Sequence, residues 1–297
     1  MDPCHPLSLQ TNFSAKIKVS VCCVTFNHAK YIRQALDGFL LQLTDFCVEI
    51  LVHDDASSDG TAEIVNEYAQ RYPGLIKATL QADNQYSQGV NVMALLREQA
   101  QGEYLAYCEG DDYWQDPEKL LQQAHYLDSH PDTVMVGQAT QRIKADGELI
   151  LELANTWYRS AFNINADMSA YQLKCLYSMV PTCCKMFRNI TLSFPLHAQT
   201  TPYGDAIKQS LLGQYGNYHF INGLKPAVYR VHGQGIWSKD SVRVQYEKKL
   251  QLYRILLRHY ITEKDLGVTI GFIKLIIVNM IKYTVKNVAT YFTSRLN

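Results

Sequence analysis

The chain has no net charge, since 28 Lys and Arg are matched by 28 Asp and Glu over 297 residues. It therefore lacks the basic excess that binders of a phosphate backbone carry, and nucleic acid is not an expected partner. There is no C-x-x-C pair among Cys4, Cys22, Cys23, Cys47, Cys108, Cys175, Cys183 and Cys184, which counts against a structural zinc site. The opening MDPCHPLSLQTNFSAK has neither the basic start nor the apolar run of a secretory signal. The expectation is a cytoplasmic protein with free thiols. Internal repeats and low-complexity linkers are also missing. Hydrophobic residues are plentiful at 47%, against 19% charged, which supplies a core and excludes wholesale disorder. At about 150 residues per domain, the length suits one large α/β domain or two small ones.

The first half alternates two periods. Lys18 to Thr25, Cys47 to His53, Leu75 to Leu80, Tyr104 to Cys108 and Thr133 to Val136 read as short apolar strands. Between them, Tyr31 to Leu43, Glu63 to Tyr72, Val90 to Ala100 and Pro117 to Ser129 carry helical spacing, the last with proline in its first turn. Apolar strands separated by helices predict βαβ units and a mostly parallel sheet, with ligands beyond the carboxyl ends of the strands. Polar residues gather at those ends: Thr25-Phe26-Asn27-His28, Asp54-Asp55 and Glu109-Gly110-Asp111-Asp112. Past about residue 140 the pattern loosens until Gln245 to His259.

The cluster at Glu109, Asp111 and Asp112 crowds carboxylates that repel one another, so a hard divalent cation shared with a diphosphate is a natural partner. An acidic loop capping the next helix explains it as well. At Asp54-Asp55, a carboxylate ending a buried strand can accept a hydrogen bond from a base N–H, and Ser58 or Asp59 can cap the helix that follows.

In order, the segments SVCCVTFNHAKYIRQALDGFLLQ, EILVHDDASSDGTAEIV, GEYLAYCEGDDYWQDPEKL and YGDAIKQSLLGQYGNYHFINGLKPAVYRVHGQGIWS resemble family 2 glycosyltransferases over roughly residues 18–238. The resemblance implies a GT-A fold, a Rossmann-like, mostly parallel sheet flanked by helices. It further implies an inverting transferase that uses a nucleotide-diphospho-sugar, such as a UDP-sugar, a saccharide or lipid-linked saccharide acceptor, and Mn²⁺ or Mg²⁺. Thr25, Asn27, His28, Asp54, Asp55, Glu109 and Gly110 fall on nucleotide-binding positions, with Asp55 on the uracil-reading aspartate. Asp111 falls on the metal-binding position of a D-x-D motif whose first aspartate is here Glu109. His232 is placed as a diphosphate or metal contact and Asp205 as the catalytic base. Asn91, Asp112, Trp114 and Thr182 are expected in the donor or acceptor pocket. Many members carry an Arg-Asn pair shortly after the glycine matching Gly89; here no arginine occurs until Arg97, which leaves Asn91 as the substitute.

The implied organisation is an N-terminal extension (1–17), a GT-A domain (18–240) and a C-terminal helical region (241–297). The GT-A domain divides into a nucleotide half (18–138) and an acceptor half (139–240). Two other readings remain open: a sugar nucleotidyltransferase, which would carry a Gly-rich, Arg-containing loop where Thr25-Phe26-Asn27-His28 stands, and a non-catalytic nucleotide-sugar-binding scaffold. Residues 267–297 hold Lys274, Lys282, Lys286 and Arg295 and no acid, leaving 24 basic against 28 acidic residues elsewhere. Lys274, Lys282 and Lys286 project within an arc of roughly 120°. With Ile273, Ile276, Ile277, Met280 and Ile281 around them, residues 267–293 read as an interfacial helix for an anionic membrane surface, or as a helix packed on protein.

Overall fold

The computed structural model describes residues 5–10, 16–150, 165–195, 204–232 and 241–296. Its first half contains β1 (His5–Pro6), β2 (Ile17–Thr25), α1 (Ile32–Leu40), β3 (Leu43–Thr44), β4 (Cys47–Asp54), α2 (Thr61–Arg71), β5 (Ile76–Leu80), α3 (Val92–Gln99), β6 (Tyr104–Tyr107), α4 (Lys119–Ser129) and β7 (Thr133–Gly137). There follow β8 (Thr140–Lys144), α5 (Ala170–Lys174), β9 (Met186–Arg188), α6 (Gly204–Leu212), β10 (Asn217–Phe220), β11 (Ala227–Val231), α7 (Val242–Thr262) and α8 (Leu266–Leu296).

The central sheet runs β10-β7-β9-β6-β2-β4-β5. Its strands are parallel except β9, which lies antiparallel between β6 and β7. β2 and β4 are covered on both faces, so Val19, Val21, Cys22, Ile50, Leu51 and Val52 are all buried and the alternation of a one-sided strand is lost. A second, two-stranded parallel sheet pairs β11 with β8. It is tied to the acidic turn after β6 by a bridge between Tyr113 and Val228. This mixed α/β architecture, a mainly parallel sheet flanked by helices, is that of the GT-A fold. Helix α4 begins at Lys119 rather than Pro117, because Asp116 Oδ1 accepts the Glu118 amide in a turn before the helix starts.

The C-terminal helices share the core. Leu252, Tyr253, Leu256 and Tyr260 of α7 and Val268 and Phe272 of α8 are buried with it. The Tyr260 hydroxyl donates to Ser210 O of α6 at 2.9 Å. Asp265, just before α8, accepts the Val268 amide and pairs with Lys174 Nζ at 2.5 Å. The opposite side of α8 presents Leu266, Ile270, Ile273, Ile277, Met280 and Ile281 to the exterior, a stripe at helical spacing with exposures from 43% to 71%. Lys274 is exposed beside it, whereas Ile276 is half-buried; the side chains of Lys282, Lys286 and Arg295 lie outside the described residues. Among the described residues, no helix is long and apolar enough to cross a membrane.

Candidate active site

The polar ends of β2, β4, β6 and β11 meet on one side of the molecule. Asn27 takes a left-handed backbone, φ 56°, which asparagine tolerates better than most residues. Its amide donates to Ser57 Oγ and its Oδ1 accepts the Ser58 amide, both at 2.8 Å. The next two amides do likewise, His28 N donating to Thr61 Oγ1 and Ala29 N to Asp59 Oδ2. The β2 and β4 loops are therefore knitted together through backbone groups, which leaves the His28 ring to face the site.

Gly110 lies so close to β2 that a Cβ there would stand 2.7 Å from Thr25 Oγ1 and 2.9 Å from Ile32 Cδ1. Its amide donates to Val24 O, which seats the acidic turn on the strand. Asp112 Oδ1 accepts the Arg230 amide at 2.8 Å. The Arg230 guanidinium lies 4.4 Å over the Tyr31 ring and donates to Asp111 O and Gln34 Oε1. Held in this way, β11 delivers His232 to the turn, where Nε2 and Asp111 Oδ2 share a hydrogen bond at 2.7 Å. His28 Nε2 stands 3.7 Å from the same oxygen.

The carboxylates are not equivalent. Burial, then the charges of Asp111 and Asp205, push Glu109 up to about 8 against an opposing pull from Lys185. Burial, then the charges of Asp111 and Glu109, raise Asp112 well above the carboxylate range. Burial also acts upward on Asp111, but the hydrogen bond from His232 and the proximity of His28 outweigh it and hold its carboxyl below the ordinary value. Burial lowers His28 in turn. Negative charge is thus concentrated on Asp111. Its Oδ1 is buried with no hydrogen-bond partner among the described residues, an arrangement that costs roughly 1–3 kcal/mol if left unmet and that a cation would relieve. Two donor sets lie within 4.8 Å, His28 with Asp111 and His232, and Glu109 with Asp111 and Asp112, so these residues fit a divalent ion.

Asp205 stands exposed in the first turn of α6, its Oδ1 accepting the Ala206 amide, and its charge reaches Glu109. One turn on, Lys208 is buried with Nζ 2.8 Å from the Tyr107 hydroxyl, and burial lowers it to about 7. Asn91 caps α3 through Oδ1, while its Nδ2 would lie 3.2 Å from a Cβ at Gly204. Thr182 opens a short helical turn and is half-buried. Tyr203, Gly233, Gln234 and Gly235 lie outside the described residues.

Three of the expected site residues are built into the fold. Asp54 is fully buried and accepts from the Ser57 amide and hydroxyl, which shapes the loop. Trp114 is buried against Phe39, with Nε1 donating to Cys183 O at 2.7 Å, so it belongs to the core and not to a pocket. Asp112 anchors β11 and is 1% exposed. Asp55 is also engaged: its two oxygens accept the Gln85 and Tyr86 amides at 2.8 and 3.0 Å. Arg230, Gln34 and Tyr31 carry structural duties that no motif announced. A separate cavity of about 460 Å³, lined by Tyr126, His130, Asp167 and His219 among others, opens near the amino ends of β7 and β10 and includes none of these groups.

The glycosyl transferase family 2 model matches residues 20–190, more than half of the chain. The chain belongs to that family. An uncharacterized protein of Mycobacterium tuberculosis is 34% identical over 226 residues, covering 74% of this chain and 60% of the relative. The poly(ribitol-phosphate) beta-N-acetylglucosaminyltransferase TarS of Staphylococcus aureus is 32% identical over 123 residues, 40% of this chain and 20% of TarS. The crystal structure of TarS residues 1–349 with UDP-GlcNAc superposes with a TM-score of 0.57 at 20% identity, covering 81% of this chain and 66% of that one. A Pyrobaculum calidifontis mannosyltransferase in complex with GDP-Man and Mn²⁺ gives 0.50 at 17% identity, covering 93% and 72%. These likenesses establish a shared GT-A fold. The chain spans less than two thirds of the curated relatives cited here.

Proposed function

We propose that this family 2 protein is a metal-dependent inverting glycosyltransferase that moves a hexosyl or N-acetylhexosaminyl group from a UDP-sugar to a hydroxyl acceptor in surface polysaccharide or glycolipid synthesis. The observation that carries the reading is the convergence of Asp205 with Glu109, Asp111 and His232 at the carboxyl end of one sheet. Asp111 and His232 would hold Mn²⁺ or Mg²⁺, which neutralises charge on the departing diphosphate. Asp205 accepts the proton of the acceptor hydroxyl as its oxygen bonds to the anomeric carbon. The bond from that carbon to the diphosphate oxygen breaks on the opposite face, so the configuration inverts. Residues 18–138 serve the nucleotide and residues 139–240 the acceptor. The choice of UDP leans on the complex formed by TarS, and that of metal on the archaeal mannosyltransferase.

The exposed isoleucine stripe and the acid-free sequence of residues 267–297 support peripheral attachment to the cytoplasmic face of an anionic membrane, beside a lipid-linked acceptor.

Calorimetry with UDP, with and without Mn²⁺, tests the transferase reading alongside slow hydrolysis of a UDP-sugar panel. Asp111→Ala should weaken the metal-dependent part of UDP binding. Asp205→Ala should keep binding and lose transfer. A wild-type protein that binds UDP but neither hydrolyses nor transfers any sugar would favour the scaffold alternative.

A further inference from the structure

The proposed transferase chemistry calls on Asp111 and His232 for the metal and leaves His28 on the nucleotide side. The geometry assigns it elsewhere. His28 Nε2 and His232 Nε2 stand 3.7 and 2.7 Å from the same Asp111 oxygen. Two donors at right angles around a divalent ion at about 2.1 Å are about 3 Å apart, a value these distances bracket. The two imidazoles meet edge to face, with ring centroids 6.0 Å apart at 87°, so both reach Asp111 without stacking on each other.

Each donor is anchored from behind. His28 is rooted by its amide on Thr61 Oγ1, between neighbours fixed on Ser57 and Asp59. His232 follows the strand that Asp112 grips through the Arg230 amide. The turn bearing Asp111 is seated on Val24 through Gly110. Among the described residues, Asp111 Oδ1 is buried here with no hydrogen-bond partner. The alternative set of Glu109, Asp111 and Asp112 carries no imidazole, and one of its oxygens, Asp112 Oδ1, is taken by the Arg230 amide, which leaves Asp112 Oδ2.

We propose that His28, Asp111 and His232 form a preformed face of two imidazoles and one carboxylate that binds a divalent transition-metal ion before any nucleotide arrives. A site in which a carboxylate acts with diphosphate oxygens depends on the nucleotide to retain its ion. Three protein donors remove that dependence. Imidazole nitrogen also favours Mn²⁺, Co²⁺ or Zn²⁺ over Mg²⁺, which prefers carboxylate and water oxygen. The inference rests on the metal role given to Asp111 above and adds both His28 and the order of binding.

The test uses the full chain, stripped with chelator and titrated with Co²⁺ and with Mn²⁺ in the absence of nucleotide. Calorimetry should show one equivalent bound, and millimolar Mg²⁺ should fail to displace it. Pulsed electron paramagnetic resonance of the Mn²⁺ form should show coupling to imidazole nitrogen. His28→Ala should weaken metal binding at least tenfold and reduce the nitrogen coupling, with the fold kept because the loop is tied through the His28 amide and not its ring. If that variant unfolds, His28→Gln provides the same comparison. Metal binding that requires UDP, or that is equal in wild type and the His28 variants, would overturn the proposal and leave the transferase reading intact. The transferase reading fails separately if neither metal nor Asp111→Ala affects UDP binding.

Discussion

Asp112 Oδ1 accepts the backbone amide of Arg230 at 2.8 Å, joining two segments 118 residues apart and placing His232 beside Asp111. The bond is buried, with Arg230 only 7% exposed, so Asp112→Ala leaves an unmet amide at a cost of roughly 1–3 kcal/mol. Because burial already favours the protonated carboxyl, Asp112→Asn keeps the acceptor and changes little else. Urea unfolding should rank wild type and Asp112→Asn together, with Asp112→Ala well below them. Equal damage from both variants would mean that the charge, and not this hydrogen bond, is what matters.

Gly110 is constrained by contact. A Cβ there would press on Thr25 Oγ1 at 2.7 Å and Thr25 Cβ at 2.8 Å, and neither belongs to a long flexible side chain. Gly110→Ala must therefore lift the acidic turn off β2, with an overpacking cost of about 1–3 kcal/mol. The expected signature is a lower melting temperature together with weaker UDP binding, since the displaced turn carries Glu109 and Asp111. An unchanged affinity for UDP would show that the turn does not contribute to the donor site.

Asp265 sets a pH dependence. Burial raises its pKa, but the bond from Lys174 and the Val268 amide more than compensate, so the folded value lies below the unfolded one. Its stabilisation is then fully present above the unfolded value of about 3.9 and is lost as pH falls through the folded value. Asp265→Ala removes a helix cap and should cost about 1 kcal/mol near neutrality. The difference from wild type, followed by urea unfolding across pH, should narrow below about pH 3.9. A gap that stayed constant into strong acid would remove the ionised carboxylate from the explanation.

The parallel strands were legible because burial on both faces makes Val19 to Cys23 and Val48 to Val52 largely apolar, interrupted by Ser20 and Glu49, which hydrogen-bond each other across the sheet. β9 was not, since Met186–Arg188 is too short to show a period and its antiparallel place between β6 and β7 is decided by remote partners. At the site, carboxylate crowding at strand ends pointed to Glu109 and Asp111. Composition could not separate Asp54 from Asp55, because only the fold shows that Asp54 turns back onto Ser57 while Asp55 grips the loop at Gln85. The aromatic pair Tyr113-Trp114 was equally opaque, since Trp114 is buried in the core while Tyr113 is half-buried and bridges to Val228. Arg230 was hidden for a different reason: its partners, Asp111 and Gln34, are 119 and 196 residues away.

Helix α8 is the part of the molecule whose surface its own fold does not explain. Val268 and Phe272 face inward, with Phe272 stacked on Tyr260 at 5.9 Å, while Ile273 and Ile277 point outward at 43% and 51% exposure. Replacing both by serine therefore leaves the packed face intact and removes apolar area that a lipid interface would bury. At about 25 cal/mol per Å² the loss should amount to a few kcal/mol of membrane affinity, tenfold or more in partitioning. The full chain should sediment with vesicles containing phosphatidylserine, less with neutral phosphatidylcholine and less again in high salt, because the basic residues contribute by screened attraction. Ile273→Ser with Ile277→Ser should stay in the supernatant while keeping the wild-type melt. Equal sedimentation of variant and wild type, or indifference to lipid charge, would separate α8 from the membrane.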